Sequence, residues 1–259
     1  MGVLNVTPDS FSDGGTYLQT EAAITAGLAM AKAGADIIDI GGESTRPGAP
    51  PTDPEQERAR VIPVVRALAA AGLTLSIDTR HAATMAAALN AGARIVNDIS
   101  ALAHDPQSAL LVAARGCPVI LMHMRGEPAT MQAHATYTDA VAEVASELAA
   151  HVSAAEQAGI HRKQIALDPG IGFAKRAEHS QELLRRLPEL TRLGFPLLVG
   201  VSRKAFIGRL SGVATPRERL AGSLAAGLFA ISRGASILRV HDVAETIQAL
   251  RTWQALAST

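Results

Sequence analysis

Pro196-Leu197-Leu198-Val199-Gly200-Val201-Ser202-Arg203-Lys204 is the stretch that decides the fold. Its first six residues are apolar or small, and they predict a strand that is buried on both faces. The strand then ends abruptly in a hydroxyl group and two cations. Such an ending would hold fixed positive charge at the mouth of a core, which suits an anionic or electron-rich ligand. A strand followed by a solvated basic turn is the other interpretation, and the rest of the chain decides between the two.

Seven further apolar runs alternate with Ala-rich segments of helical period. The predicted strands are 2–6, 35–40, 73–77, 94–96, 117–122, 164–167, 196–201 and 236–240. The predicted helices are at about 19–34, 54–71, 80–91, 106–115, 137–158, 179–192, 217–233 and 242–256. Strict alternation implies a parallel α/β sheet, and eight units in 259 residues are typical of a single-domain (β/α)8 TIM barrel. A doubly wound open sheet is the alternative, but the Gly-x-Gly-x-x-Gly pattern expected after its first strand is missing.

The composition argues against several classes of protein. A hydrophobic content of 48% with a formal net charge of zero is typical of a soluble globular domain with one large core. The neutral charge balance argues against a nucleic-acid partner, because such binding depends on a basic face. The single cysteine, Cys117, excludes a disulfide within the chain. We expect a cytoplasmic protein with no membrane partner, because no stretch is apolar for long enough to span a bilayer and no signal-peptide pattern is visible.

Polar side chains collect at the C-terminal ends of the predicted strands, where barrel enzymes place their chemistry. Asp78, Asn97 and Asp168 follow strands 3, 4 and 6. Together they can donate to and accept from a flat heterocycle with ring N–H and amino groups. Each could instead cap the helix that follows it, since Asp and Asn are favoured at that position. Three of them at one rim favour a binding site, in which pairing with Lys204 would keep the carboxylates ionised.

The eighth and first strands add groups that suit a phosphate. Arg239 and His241 alternate along strand 8 and share a face, so they could bind phosphate where barrels often do. A salt-bridged rim is the alternative. Asn5 offers a neutral oxygen that could hold a magnesium ion already bound by substrate phosphates. His123 also lies at a strand end, but the sequence assigns it no role.

Two long loops follow the first two strands. The segments 7–15 and 41–51 are polar and rich in glycine and proline, and they exceed the usual length of turns in such units, about 2–6 residues. They predict mobile lids that carry Phe11, Thr45 and Arg46. Disordered surface is the alternative interpretation.

Four of these segments, together with Arg239-Val-His241, resemble the dihydropteroate synthase family, the sulfonamide target of folate biosynthesis. They are Asn5-Val-Thr-Pro-Asp-Ser-Phe-Ser-Asp-Gly-Gly15, Gly41-Gly-Glu-Ser-Thr-Arg-Pro-Gly48, Asp168-Pro-Gly-Ile-Gly-Phe173 and Gly200-Val-Ser-Arg-Lys204. The resemblance covers nearly the whole chain in the family's order. It implies a pterin-binding (β/α)8 barrel domain over 1–259, Mg²⁺ as cofactor, and a homodimer packed through helices near the C-terminus. It also implies a transferase that condenses 7,8-dihydropterin-6-ylmethyl diphosphate with 4-aminobenzoate and releases pyrophosphate.

The same resemblance implies roles for individual residues. The implied pterin contacts are Asp78, Asn97, Met122, Asp168 and Lys204. The implied diphosphate contacts are Asn5, Thr45, Arg46, Arg239 and His241, with Asn5 also at the metal. The implied aminobenzoate contacts are Phe11, Pro47, Phe173, Ser202 and Lys204. Within these sets, the expected catalytic residues are Lys204, Asp78, Asp168, Arg239 and His241.

The resemblance favours loss of the diphosphate before attack by the arylamine. A pterin-dependent methyltransferase domain is one alternative, but it would not be expected to keep the Ser202-Arg203-Lys204 turn, the Arg239 and His241 pair and both loops together. A non-catalytic pterin-binding paralogue is another, although no motif is degraded. The family usually has an N-terminal hairpin that seals the barrel bottom. This sequence starts almost inside strand 1, so it does not predict how the bottom of the barrel is sealed.

Overall fold

The computed structural model describes residues 1–7, 16–44, 48–49 and 51–257. Short parallel strands alternate with helices throughout these ranges, as the sequence predicts. The strands are β1 Gly2–Asn5, β2 Ile38–Gly41, β3 Leu75–Asp78, β4 Ile95–Asp98, β5 Val119–Met122, β6 Ile165–Asp168, β7 Leu198–Val199 and β8 Ile237–Leu238. Each one coincides with a predicted strand, although it is shorter, because the predicted runs include flanking residues outside the sheet ladder.

The helices of the described residues also follow the predicted order. They are α1 Thr16–Lys32, α2 Pro54–Ala70, α3 Ala82–Ala91, α4 Ser108–Arg115, α5 Ala140–Gln157, α6 Ala177–Arg185, α7 Leu187–Thr191, α8 Ala205–Ser211, α9 Leu220–Ser232 and α10 Val243–Ala257. The single helix predicted at about 179–192 is two helices, because Pro188 cannot donate to the carbonyl of the preceding turn and its ring crowds that turn. None of the described helices is long and apolar enough to cross a membrane.

The strands close into a ring. β1 to β6 form one continuous parallel ladder, and β7 pairs with β8. Bridges between Leu167 and Leu197 and between Gly2 and Val240 join these two groups at both sides. At the second junction, the Val3 amide donates to the Val240 carbonyl over 2.9 Å. The prediction of a (β/α)8 barrel, rather than an open sheet, is therefore confirmed.

Apolar packing holds the helices against the outside of this barrel. In α2, for example, Val61, Val64, Val65 and Leu68 are fully buried and recur at the spacing of one helix face. The inward side chains at the C-terminal ends of the strands are different, because many of them are polar and buried. Burying a polar group is costly unless it is hydrogen-bonded, so this end of the barrel has a role other than stability.

Candidate active site

The strand register brings predicted site residues into one layer. Asn5 pairs with Gly41, Gly41 with Asp78, and Asp78 with Asn97 across four neighbouring strands. Residues in register on adjacent strands stand side by side on the same face. Gly41 has no side chain in this row, and a Cβ there would be in van der Waals contact with the Asp78 carboxylate at 3.5 Å. The row therefore places an amide, an open position and an acid–amide pair at one end of the barrel.

A carboxylate that the sequence analysis left without a role, Asp39, lies one layer deeper. It is fully buried in the middle of β2. Its Oδ2 atom accepts hydrogen bonds from Nε of Arg239 over 2.6 Å and from Nδ2 of Asn97 over 3.0 Å. Arg239 also donates from Nη2 to Asp78 Oδ2 over 2.6 Å. We call Asp39, Asp78, Asn97 and Arg239 the pocket cluster.

Electrostatics within the pocket cluster differ from the prediction. Burial raises the pKa of Asp78 to about 7; Arg239 opposes the shift and the like charge of Asp39 adds to it. Burial also raises the pKa of Asp168, against the effects of the Gly170 amide and Lys204. At both acids desolvation therefore outweighs the charge pairing that was expected to favour the ionised form.

Lys204 and Phe173 form the opposite wall of the site. The Lys204 Nζ atom lies 4.2 Å from the centre of the Phe173 ring, a cation–π contact. Burial lowers the pKa of Lys204 to about 8, although Asp168 acts in the other direction. The Asp168 carboxylate accepts a hydrogen bond from the Gly170 amide over 2.7 Å, which ties the start of the next loop to β6.

Ser202 and His241 form a hydrogen-bonded pair at the ends of β7 and β8. The His241 amide donates to Ser202 Oγ over 3.2 Å, and the same oxygen lies 3.0 Å from His241 Nδ1. The hydroxyl hydrogen is then free to donate to Nδ1, and in that arrangement Nε2 is the protonated nitrogen. Burial and the charges of Arg203 and Arg239 lower the pKa of His241 to about 4. His241 is therefore a neutral donor at pH 7, not a cation.

These groups line one cavity at the C-terminal end of the barrel. The predicted site residues among its lining are Asp78, Asn97, Met122, Asp168, Phe173, Ser202, Lys204, Arg239 and His241. Asn5 is half-buried and lies at the end of β1, in the same row as Asp78 but outside this lining. Segments separated by up to two hundred positions in the sequence thus meet in one cup, as Asp39 and Arg239 do.

Comparisons with known proteins agree with this arrangement. Residues 1–241 match the family described as Pterin binding enzyme. The dihydropteroate synthase of Escherichia coli (strain K12) is 48% identical over 259 residues, which cover 100% of this chain and 91% of that protein. The chain belongs to the dihydropteroate synthase family. Its activity is accordingly that of a dihydropteroate synthase, a transferase of folate biosynthesis.

Solved structures of dihydropteroate synthases support the same assignment. The Xanthomonas albilineans enzyme with 4-aminobenzoic acid has a TM-score of 0.95 and 50% identity, over 100% of this chain and 93% of that one. The same enzyme in complex with 7,8-dihydropteroate has a TM-score of 0.91 and 47% identity, again over 100% and 93%.

Four of the residues that the dihydropteroate synthase resemblance implicates lie outside the described residues. They are Phe11, Thr45, Arg46 and Pro47. All four belong to the two long loops, so the contacts predicted for them stay predictions.

The metal expected for a dihydropteroate synthase would find few protein ligands here. Among the described residues, no group of three or more His, Cys, Asp or Glu side chains could hold a metal ion. Asn5 offers one neutral amide oxygen at the rim. This donor set fits Mg²⁺, which keeps most of its water and phosphate ligands when a protein supplies only one or two.

Three buried residues near the cavity, Asp39, His123 and Lys175, had no role assigned from the sequence, for different reasons. Asp39 is a single charge inside the apolar run of β2, between Ile38 and Ile40, and that interruption was an available signal. His123 and Lys175 are buried behind the cavity wall, and their partners lie on other elements. No sequence pattern reports such packing.

Proposed function

We propose that this chain joins 7,8-dihydropterin-6-ylmethyl diphosphate to 4-aminobenzoate, with loss of the diphosphate before attack by the amine. The observation that carries the proposal is one cavity whose lining combines two acids and an amide with cationic and imidazole groups; these residues are Asp78, Asn97, Asp168, Lys204, Arg239 and His241. The Xanthomonas albilineans synthase, which has been solved with 4-aminobenzoic acid and with 7,8-dihydropteroate, supports these substrates.

The pterin binds against the β3, β4 and β6 ends. Asp78 and Asp168 accept from its ring N–H and amino groups, and Asn97 donates to and accepts from its edge. Met122 packs on its flat face. Because the acids are poorly solvated, they stabilise positive charge that develops on the pterin more strongly than they would in water.

The diphosphate leaves toward β8. Arg239 and the protonated Nε2 of His241 donate to its oxygens as the carbon–oxygen bond breaks, and Ser202 keeps the imidazole in that tautomer. Mg²⁺ held at Asn5 and the phosphates would neutralise charge on the leaving group when it is bound.

The amine attacks last. The aminobenzoate lies between Phe173 and the Ser202 end of β7, with its carboxylate near Lys204. Its nitrogen is neutral at pH 7, so it forms the new carbon–nitrogen bond without a strong base and then loses a proton to water. Positioning the amine close to the electrophilic carbon is the main demand on the protein at this step.

We propose that the protein acts in the cytoplasm as a homodimer packed through helices near the C-terminus. The Ala- and Gly-rich sequence of α9 allows close approach of another helix, and Phe229 on that helix is 37% exposed. Sedimentation at the mass of a single chain would contradict the dimer.

The reaction is tested by product formation. The chain is incubated with the pterin diphosphate, 4-aminobenzoate and Mg²⁺, and 7,8-dihydropteroate is measured by chromatography. We expect product only when all the substrates are present. Transfer of a methyl group from a methylated folate, with no dihydropteroate formed, would instead identify a methyltransferase.

A further inference from the structure

A second group of interacting polar residues lies behind the wall of the cavity, between β5, β6 and α5, with His123 and Lys175 buried and Glu147 partly exposed. We call Glu147, His123 and Lys175 the wall cluster. His123 is fully buried and Lys175 is 3% exposed. Nε2 of His123 lies 2.9 Å from Glu147 Oε2, and Nδ1 lies 2.8 Å from Lys175 Nζ. None of the three residues lines the cavity.

When Lys175 is an ammonium group, the protons of the wall cluster have one consistent arrangement. The ammonium can only donate, so His123 Nδ1 accepts from it, and Nε2 carries the hydrogen that is donated to Glu147. Burial and the neighbouring charge of Lys175 lower the pKa of His123 to about 3, which agrees with a neutral ring. Arg125 donates from Nε to Glu147 over 3.0 Å and keeps that carboxylate in place. Glu147 and His123 together therefore hold the Lys175 amine in a fixed orientation.

That direction is toward the β6–α6 loop, residues 169–176. Lys175 Nζ donates to the Phe173 carbonyl over 3.0 Å. Gln132 Nε2 donates to the Gly172 carbonyl over 3.2 Å, and the Tyr137 hydroxyl donates to the Ala174 carbonyl over 3.0 Å. Three successive carbonyl groups are thus each held by a different side chain.

The loop needs this support because Ala174 has a disfavoured backbone conformation. Gly170, Gly172 and Ala174 all have positive φ, at 65°, 83° and 48°, which the two glycines adopt without strain. A non-glycine residue such as Ala174 is disfavoured in that region, and such conformations persist only where the surroundings impose them. Gly170 also packs so closely on β5 that a Cβ there would lie 2.0 Å from the His123 carbonyl oxygen.

The position of the loop sets the position of Phe173, whose ring lies over Lys204. We propose that Lys175 is a positioning residue for the reaction. Oriented by His123 and Glu147, it fixes the β6–α6 loop so that Phe173 forms one wall of the aminobenzoate site. The identity of the substrate in this inference rests on the proposed function, whereas the contacts that hold the loop are independent of it.

The test compares Lys175→Met with Lys163→Met. Both replace a lysine with an unbranched apolar side chain near β6, but Lys163 is exposed at the opposite end of that strand. Removing charge-assisted hydrogen bonds of this kind costs enough to change an equilibrium about tenfold or more. We expect Lys175→Met to raise KM for 4-aminobenzoate by about that factor. The dissociation constant of the variant for 6-hydroxymethylpterin should stay within about threefold of the wild-type value. Lys163→Met should match the wild type in both.

Amide hydrogen exchange gives a readout that does not depend on activity. We expect faster exchange at residues 169–176 in Lys175→Met and unchanged exchange in Lys163→Met. Wild-type exchange and a wild-type KM for aminobenzoate in Lys175→Met would overturn the inference. Equal losses of pterin and aminobenzoate binding would also overturn it, because they would indicate a general structural defect.

A milder variant covers the case in which Lys175→Met does not fold. Tyr137→Phe removes only the hydroxyl that holds the Ala174 carbonyl. We expect the same pattern with a smaller rise in KM for aminobenzoate, and an unchanged KM would contradict the role of the fixed loop. A wild-type protein that makes no dihydropteroate would refute the proposed function alone, since the exchange comparison would still decide whether Lys175 holds the loop.

Discussion

The pocket cluster and the wall cluster are both hydrogen-bonded sets of polar and charged residues, largely buried, at the same end of the barrel. Their pKa values are perturbed to a similar extent, since Asp78 is raised to about 7 and Lys175 is lowered to about 7 by burial. They differ in what they face. Asp78 and Arg239 line the cavity, whereas Lys175 and His123 donate to or accept from protein groups behind it. Perturbed pKa values therefore mark this end of the barrel as functional. Whether a residue lines the cavity then distinguishes a ligand contact from a residue that supports the wall.

The largest effect is expected on the pocket side, at Lys204. Lys204→Ala removes the cation between Phe173 and Asp168, so both substrates lose a contact. We expect the turnover to fall by about 10²–10³, as when a preorganised electrostatic donor is removed from other enzymes. Circular dichroism should show a folded protein. A folded variant with wild-type turnover would exclude Lys204 from the pocket contacts.

The next effect concerns the leaving group. The double variant Arg239→Ala with His241→Ala removes both donors proposed for the diphosphate. We expect calorimetry to show pyrophosphate binding at least about tenfold weaker, as for the loss of a charged hydrogen bond. Arg251→Ala, at an exposed position on α10, serves as the control. Unchanged affinity in the double variant would place the diphosphate elsewhere.

A smaller effect on kcat/KM is expected at Asp39, which lies behind the residues that face the ligand. Asp39→Asn keeps the shape but removes a negative charge that raises the pKa of Asp78. The pKa of Asp78 should fall, so the acidic limb of the kcat/KM profile should move to lower pH. The size of kcat/KM on the plateau should change by about tenfold or less. An unmoved acidic limb would show that the two acids are not coupled.

The smallest effect is on stability, at Asp78. Its pKa is higher in the folded chain than in the unfolded chain, so between about pH 4 and pH 7 only the folded state keeps the proton. Stability therefore falls as the pH rises through this window. Asp78→Asn lacks this dependence, and its Tm relative to the wild type should be about 5–10 °C higher at pH 8 than at pH 5, since the pKa difference is worth about 2.6 kcal/mol over this range. Thermal unfolding that gives the same difference at both pH values would contradict the raised pKa.

The sequence predicted the pocket side much better than the wall side, for a physical reason. Residues such as Asp78, Asn97 and Asp168 end buried strands, and parallel strands bring their C-terminal ends to one rim whatever the details of packing. Their positions follow from order and periodicity alone. The protonation of His241 did not follow, because it depends on burial and on the Ser202 hydroxyl.

The sequence did not predict the wall cluster, because its contacts do not follow from strand order or periodicity. Lys175 lies in the loop after β6 and meets His123 just after β5, and His123 meets Glu147 on α5, so each contact depends on tertiary packing. In the sequence, Lys175 is an ordinary basic residue before a helix. The break of the predicted 179–192 helix at Pro188 had a local signal, whereas the role of Lys175 had none.

The comparison between the two clusters is tested most directly by one calorimetric titration of 6-hydroxymethylpterin into a matched pair of variants. Asp168→Asn and Glu147→Gln each exchange a carboxylate for an amide, the first on the cavity side and the second in the wall cluster. We expect Asp168→Asn to weaken pterin binding by about tenfold or more and Glu147→Gln to leave it within about threefold. Equal weakening, or weakening by Glu147→Gln alone, would contradict the division between ligand contacts and supports.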